Sequence, residues 1–195
     1  FDFNMRPGPS AWARPDCTAP YKNCKNGTNP GRTHRFYTGK PVVPFGFGLS
    51  YTTFSYKVVS GPGSVSLGRL QEQLRASEHG HVATRQLGSP YVVDVTNTGK
   101  IDADDVVLGF LVPPGAGKDG LPLQSLFGFE RIHVKAGETK RVTLAPELSE
   151  FSQVDTAGVR RAWPGRYAVR FGVQGPGAGY AETSTQASLA EEVVV

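Results

Sequence analysis

Arg166-Tyr-Ala-Val-Arg-Phe-Gly-Val173 is the stretch that decides the fold of this chain. Tyr167, Val169, Phe171 and Val173 occupy alternate positions, with Arg166 and Arg170 between them. A period of two places the apolar set on one face of a β-strand and the polar set on the other. Pro164-Gly165 immediately before it is a turn signal, because proline presets one backbone angle and glycine tolerates the next. Moving outward toward the N-terminus, the same signal recurs. Val142 and Leu144 alternate after an Ala136-Gly137 turn, and Ser125 to Val134 reads as a strand. Val106 to Val112 is a nearly unbroken apolar run, as in a strand covered on both faces. Tyr91, Val93 and Val95 share a face ahead of an Asn97-Thr-Gly99 turn, and Phe54 to Val59 alternates ring and polar residues as a first strand. Toward the C-terminus, Val193-Val-Val195 is expected to form a closing edge strand. Seven or eight short strands separated by turns predict an antiparallel β-sandwich.

One segment interrupts this rhythm. Leu67, Leu70 and Leu74 recur at helical spacing over Leu67 to Arg75, which predicts a short surface helix, weakened by Gly68. We expect an insertion at about 60–90, between the first two sandwich strands. The composition agrees with a turn-rich fold: 24 Gly and 15 Pro in 195 residues exceed ordinary usage. The net charge is +4, with the basic residues scattered rather than clustered, so neither a nucleic-acid partner nor a membrane surface is expected. No apolar run approaches the length of a membrane span.

Ahead of the strands lies Pro30-Gly-Arg-Thr-His-Arg-Phe-Tyr-Thr-Gly-Lys-Pro-Val-Val-Pro-Phe-Gly-Phe-Gly-Leu-Ser-Tyr-Thr-Thr-Phe54. Rings and backbone-fixing Gly and Pro dominate it, whereas a flexible linker would carry Ser, Glu or Lys and few rings. It is read as a rigid joint. Within it, Pro30 to Gly39 and Val43-Pro-Phe-Gly-Phe-Gly-Leu-Ser-Tyr-Thr52 closely resemble a late segment of family 3 glycoside hydrolases, above all the β-xylosidases. Met5-Arg6-Pro7, Thr96-Asn-Thr-Gly99, Asp105-Val-Val107, Leu126-Phe-Gly-Phe-Glu-Arg131, Lys135-Ala-Gly-Glu-Thr-Lys140 and Trp163-Pro-Gly-Arg-Tyr167 extend the resemblance.

The resemblance implies an all-β, immunoglobulin- or fibronectin III-like antiparallel β-sandwich preceded by an irregular tail of an α/β-sandwich domain. The tail and joint would occupy residues 1–53 and the fibronectin III-like domain 54–195. It further implies the C-terminal portion of an exo-acting retaining β-xylosidase, bracing catalytic domains upstream in the same polypeptide, with an oligosaccharide as the full enzyme's substrate. A free-standing fibronectin III-like carbohydrate- or protein-binding module is the alternative. Residues 8–29 depart from the family in forming a longer link. Cys17 and Cys24 lie there with six residues between them, followed by the glycosylation sequon Asn26-Gly-Thr28. A disulfide closing this loop and a glycan on Asn26 would fit a secreted protein, as would the habit of the family; two free thiols and an unused sequon are the other reading. With Phe1 as its first residue and no apolar leader, the chain reads as part of something longer.

Chemistry-bearing patterns are sparse. Gly115-Ala-Gly-Lys-Asp-Gly120 has the spacing of a dinucleotide loop, but Leu121-Pro122 after it cannot open the helix that such a loop needs. Asp102-Ala-Asp-Asp105 starts like a calcium loop and then lacks its glycine and glutamate. His79-Gly-His81 has no third ligand at a suitable spacing, and His34 and His133 are isolated. No metal or cofactor is therefore expected. Retaining glycoside hydrolysis needs two carboxylates. In the family both lie upstream of this stretch, and Asp94, Asp102, Glu130, Glu138 and Glu147 read as outer strand positions, so no catalytic residue is expected. Arg32, Arg35, Phe36 and Tyr37 in the joint are candidates for contacts between domains or at the rim of the substrate cleft.

Overall fold

The computed structural model describes residues 31–76, 89–118, 121–155, 157–173 and 179–189. The expected edge strand at Val193–Val195, the cysteine pair, the Asn26 sequon and the His79-Gly-His81 pattern lie outside these residues. In chain order the described elements are helix α1 (Thr33–Phe36), strands β1 (Phe54–Ser60) and β2 (Ser64–Ser66), helix α2 (Gly68–Ala76), and strands β3 (Tyr91–Asn97), β4 (Ala103–Val112), β5 (Ser125–Val134), β6 (Thr139–Leu144), β7 (Ser152–Val154), β8 (Arg160–Ala162), β9 (Gly165–Phe171) and β10 (Ala181–Ser188). A 3-10 turn, Leu148–Phe151, precedes β7.

Two sheets form the sandwich. One has the order β1-β3-β6, all antiparallel, and the other β2-β10-β9-β4-β5, antiparallel except for the β2–β10 pair. β7 and β8 form a separate small hairpin. The alternation seen in the sequence explains which side chains meet. Tyr91, Val93, Val95, Val142 and Leu144 of the first sheet pack on Val107, Leu111, Tyr167, Val169, Phe171 and Ala187 of the second. The β4–β5 register slips once, from Gly109 opposite Gly128 to Phe110 opposite Leu126, which leaves Phe127 as an extra residue in β5. Its ring turns into the core, perpendicular to Phe171 at a centroid distance of 6.1 Å. Gly109 makes room for it, since a Cβ there would lie 2.7 Å from the Phe127 ring.

The buried hydroxyls are matched. The Tyr91 hydroxyl pairs with Thr185, whose hydroxyl also reaches the Pro62 carbonyl at 2.6 Å, and the Tyr56 hydroxyl donates to Asp105. Burial, with Asp105 adding to it, pushes the Tyr56 phenol far above its usual range. The helix predicted from Leu67, Leu70 and Leu74 is present as α2, but it is more than a surface helix. All three leucines are buried in the core. Parallel pairing of β2 with β10 explains this, because the Leu67 amide then donates to the Ser188 carbonyl at 2.7 Å and brings the leucine face of α2 onto the sandwich.

β4 has a second apolar face. Val107 and Leu111 point into the sandwich, while Leu108 and Phe110 are buried on its outer side. The joint covers that side. Phe45 meets Phe110 edge-on at 6.3 Å, and a Cβ on Gly46 would lie 2.5 Å from Leu108 and 2.9 Å from Val173. Gly46 also has φ +79°, so both its backbone and its clearance favour glycine. Tyr180 closes the other flank of Phe110 at 6.0 Å. This double burial accounts for the unbroken apolar run in the sequence.

Asn97 ties the joint to the sandwich. It is fully buried, donating to the Ile101 carbonyl at 2.8 Å and the Val134 carbonyl at 2.9 Å, and accepting from Thr52 Oγ1 at 2.6 Å and the Gly99 amide at 3.1 Å. Beside it the Thr98 amide donates to the Thr53 carbonyl at 2.8 Å. Replacing Asn97 by Ala strands buried carbonyls and should cost about 3 kcal/mol, whereas Thr52→Val should cost about 1 kcal/mol. Urea unfolding of the two variants checks this: the Asn97→Ala midpoint should fall clearly further, and equal shifts would remove the clamp from the account.

Candidate functional site

The described surface has a cleft of about 610 Å³ where the joint meets the sandwich. Its first wall is α1. Gly31 and Thr33 both have positive φ, at 88° and 61°, and a β-branched residue in that region is strained. The turn so formed is held by the Tyr37 amide on the Thr33 carbonyl at 3.0 Å and the Arg35 amide on Thr33 Oγ1 at 3.3 Å. The Leu123 amide donates to the Arg35 carbonyl at 2.5 Å, fixing α1 against the β4–β5 connection. His34 stacks on Phe45 at 4.0 Å and leans on Phe110 at 6.1 Å. Arg35 and Phe36 line the cleft, with the guanidinium carbon 5.3 Å from the Phe36 ring centroid.

The opposite wall comes from Ser149 and Glu150 of the 3-10 turn, Ser152, Gln153 and Val154 of β7, and Arg160 of β8; Leu121, Pro122, Ser125 and Leu126 complete the lining. Phe151 is fully buried against Tyr167, ring to ring at 4.8 Å, and anchors this wall. Its carbonyl accepts from the Trp163 amide at 2.9 Å. The hairpin turn is organised by Asp155, which accepts from the Ala157 and Val159 amides at 3.0 and 2.9 Å and from Arg161 at 2.7 Å. Arg161 first, then these amides, hold its carboxyl below the usual range. Within the cleft Arg160 donates to Ser152 Oγ at 2.8 Å, and that hydroxyl donates to the Ser149 carbonyl at 2.5 Å. Glu150 makes no ion pair with Arg35 or Arg160, although both cations act on it. Burial and then Glu147 push its carboxyl up, against the pull of the two arginines.

Of the four joint residues singled out in the sequence, Arg35 and Phe36 enter this cleft and Arg32 and Tyr37 do not. Tyr37 instead folds back over Gly39, where a Cβ would lie 2.5 Å from its hydroxyl. Glu150, Gln153 and Arg160 were not anticipated. A signal existed, namely the short alternating runs Phe151–Val154 and Val159–Ala162 flanking Asp155 to Gly158, which together form a hairpin pattern.

The other patterns are consumed structurally. Asp102 accepts from the Ala136 amide at 2.8 Å, Asp104 pairs with Arg131 and with His133 at 2.7 Å, and Asp105 takes Tyr56, so the acidic run does not converge on one point. Asp94 is bound by Arg141 at 2.7 Å, and Glu138 accepts from the Lys135 amide at 2.8 Å. At the glycine-rich loop, the Lys118 amide bonds back to the Gly115 carbonyl at 3.0 Å in a turn between β4 and β5.

Comparison with known proteins agrees with this architecture. Residues 105–174 match the family described as fibronectin type III-like domain. "Beta-D-xylosidase 1" of Arabidopsis thaliana is 38% identical over 160 residues, covering 75% of this chain and 21% of that protein. "Probable exo-1,4-beta-xylosidase bxlB" of Aspergillus clavatus is 36% identical over 149 residues, covering 75% and 19%. Among solved structures, a "GH3 exo-beta-xylosidase (XlnD)" in complex with a xylobiose aziridine probe superposes with a TM-score of 0.62 at 23% identity, over 86% of this chain and 22% of that one. A β-glucosidase from Listeria innocua gives 0.57 at 23%, over 76% and 18%. The chain thus spans about a fifth of the length of the curated relatives it matches. It resembles the C-terminal part of family 3 glycoside hydrolases, fibronectin type III-like domain included.

His34 gives the site a pH dependence. Its Nε2 is buried without a partner, and burial, then the Arg35 charge, lower its pKa from 6.5. The unfolded chain therefore binds the proton more readily, and stability rises with pH. This contribution is complete above about pH 6.5 and is lost as pH falls through that value toward the lower folded one. Urea midpoints at pH 8 and pH 5 should differ more in the wild type than in His34→Phe. Identical differences would assign the acid sensitivity elsewhere.

Proposed function

We propose that this chain is the C-terminal, non-catalytic portion of a family 3 glycoside hydrolase, an exo-acting retaining β-xylosidase of xylan or hemicellulose breakdown, and that it braces the catalytic domains upstream in the same polypeptide. Residues 1–53 would then be the tail of the α/β-sandwich domain with its joint, and residues 54–195 the fibronectin III-like domain.

The observation that carries this reading is the outward side of the joint. Its inner rings are committed to β4, yet Val42, Leu49 and Tyr51 are almost completely exposed, and Val43 and Phe45 are about half exposed. Phe129, on the outer face of β5, is 68% exposed. A rigid segment that is apolar on both sides fits between two folded bodies. The identity of the xylosidase relatives supports the sugar class, and their much greater length supports a larger polypeptide. The full enzyme's substrate would be an oligosaccharide with a terminal β-xylose. Secretion, with a Cys17–Cys24 disulfide and a glycan on Asn26, belongs to the same proposal and is supported by the sequence pattern alone.

An antibody against this chain should detect a native species several-fold larger than 20.9 kDa in its source, and a native species near 20.9 kDa overturns the reading. Within the larger protein, Val42→Glu with Leu49→Glu should lower the melting temperature and the activity. In the 195-residue chain alone, the same pair should leave the melting temperature unchanged and reduce self-association. A chain that hydrolyses a nitrophenyl β-xyloside by itself would also contradict the proposal.

A further inference from the structure

We propose that the cleft between α1 and the β7–β8 hairpin is a non-catalytic binding site for one or two neutral sugar units. The inference goes beyond the bracing role and stands without it. Three features point to this ligand class.

The first is charge. Arg35 and Arg160 bring two guanidinium groups to the cleft, and Glu150 contributes a carboxylate that pairs with neither. Glu147 adds a second negative charge felt by Glu150. An anionic ligand would meet the Glu150 carboxylate, and a cationic ligand would meet the two arginines. A neutral molecule rich in hydroxyls meets neither repulsion, because each hydroxyl both donates and accepts.

The second is hydrogen-bonding shape. Arg35, Glu150, Gln153 and Arg160 all end in planar groups that can hold two adjacent hydroxyls at once. Two of them are set in advance. The Arg35 guanidinium rests on the Phe36 ring, and Arg160 is held by Ser152. Gln153 is only 9% exposed, and its amide has no hydrogen-bond partner among the described residues.

The third is the mixture of surfaces. Leu121, Pro122 and Phe36 give apolar walls of the kind that the C–H faces of a sugar ring pack against. The volume of about 610 Å³ lies in the range of small-ligand sites and leaves room for one or two rings.

The test is titration of the complete 195-residue chain with xylotriose, cellotriose and trigalacturonate, followed by amide chemical shifts. A neutral trisaccharide should bind weakly, perturbing the amides of Arg35, Glu150, Gln153 and Arg160 in the unmodified chain. Arg35→Ala and Glu150→Ala should each weaken binding about tenfold, the loss of one hydrogen bond to a charged group. Arg131→Ala, on the outer face of β5, should change nothing. The shift map on the unmodified chain remains decisive if a variant folds poorly. The proposal is overturned if neither neutral trisaccharide binds, if trigalacturonate binds more tightly, or if the perturbed amides lie away from the cleft. None of these outcomes bears on the size of the native polypeptide, so failure here leaves the bracing role to its own experiment.

Discussion

The constraint on which this structure turns is that β4 is apolar on both faces. A sandwich strand needs cover on one face only, from the opposing sheet. Here Val107 and Leu111 obtain that cover from β3 and β6, but Leu108 and Phe110 would be left against water. Burying such side chains is worth about 2–3 kcal/mol each, so the outer face must also be closed. The joint closes it with Phe45 and the clearance provided by Gly46, and Tyr180 helps from the other flank. The segment before the first strand is therefore structurally part of the sandwich.

Hydrophobic cover alone is non-directional and would not hold the joint at one angle. The direction comes from polar groups. Asn97 uses both amide protons and its carbonyl oxygen to join the β3 turn, the end of β5 and Thr52 of the joint, while Thr98 and Thr53 pair backbone to backbone. At the far end, the Leu123 amide fixes the Arg35 carbonyl. Pinned at two points, the joint cannot slide on β4, and the left-handed Thr33 can be maintained despite its strain. The cleft is a consequence of this pinning, since one of its walls is the short helix held between the two points.

What was legible in the sequence follows the same division. Period-two alternation disclosed β1, β3, β6 and β9, because those strands have one wet and one dry face. The unbroken run at Val106–Val112 disclosed that β4 is covered twice, though not by what. β10 escaped notice: Ala181 to Ser188 is small and polar, with its inward positions filled by Thr185 and Ala187 rather than by large apolar groups. The α2 leucines were visible, but their burial depends on the parallel β2–β10 pair, a non-local contact without local signature. The site was half legible for the same reason. Arg35 and Phe36 stood out in a motif, whereas Glu150, Gln153 and Arg160 acquire meaning only once the hairpin is folded against α1.

The carboxylates carry the final step. A retaining glycosidase holds two acidic groups about 5 Å apart across the bond to be broken, one free to attack and one free to give a proton. Asp94 and Asp155 are held below the usual carboxylate range chiefly by arginines, and Asp104 by His133 and then Arg131, which weakens all three both as nucleophiles and as acids. Asp102 and Glu138 cap backbone amides, and Asp105 accepts from a buried tyrosine. Glu150 is raised by burial, makes no ion pair among the described residues, and lies in the cleft. Glu147, whose charge acts on it, stands three residues before it at the entry to the same 3-10 turn and is not among the residues that line the cleft. A charged neighbour in the same turn can raise a carboxyl's pKa, but it does not flank a bond held in the cleft. The described lining of this cleft thus holds one carboxylate where that mechanism requires two.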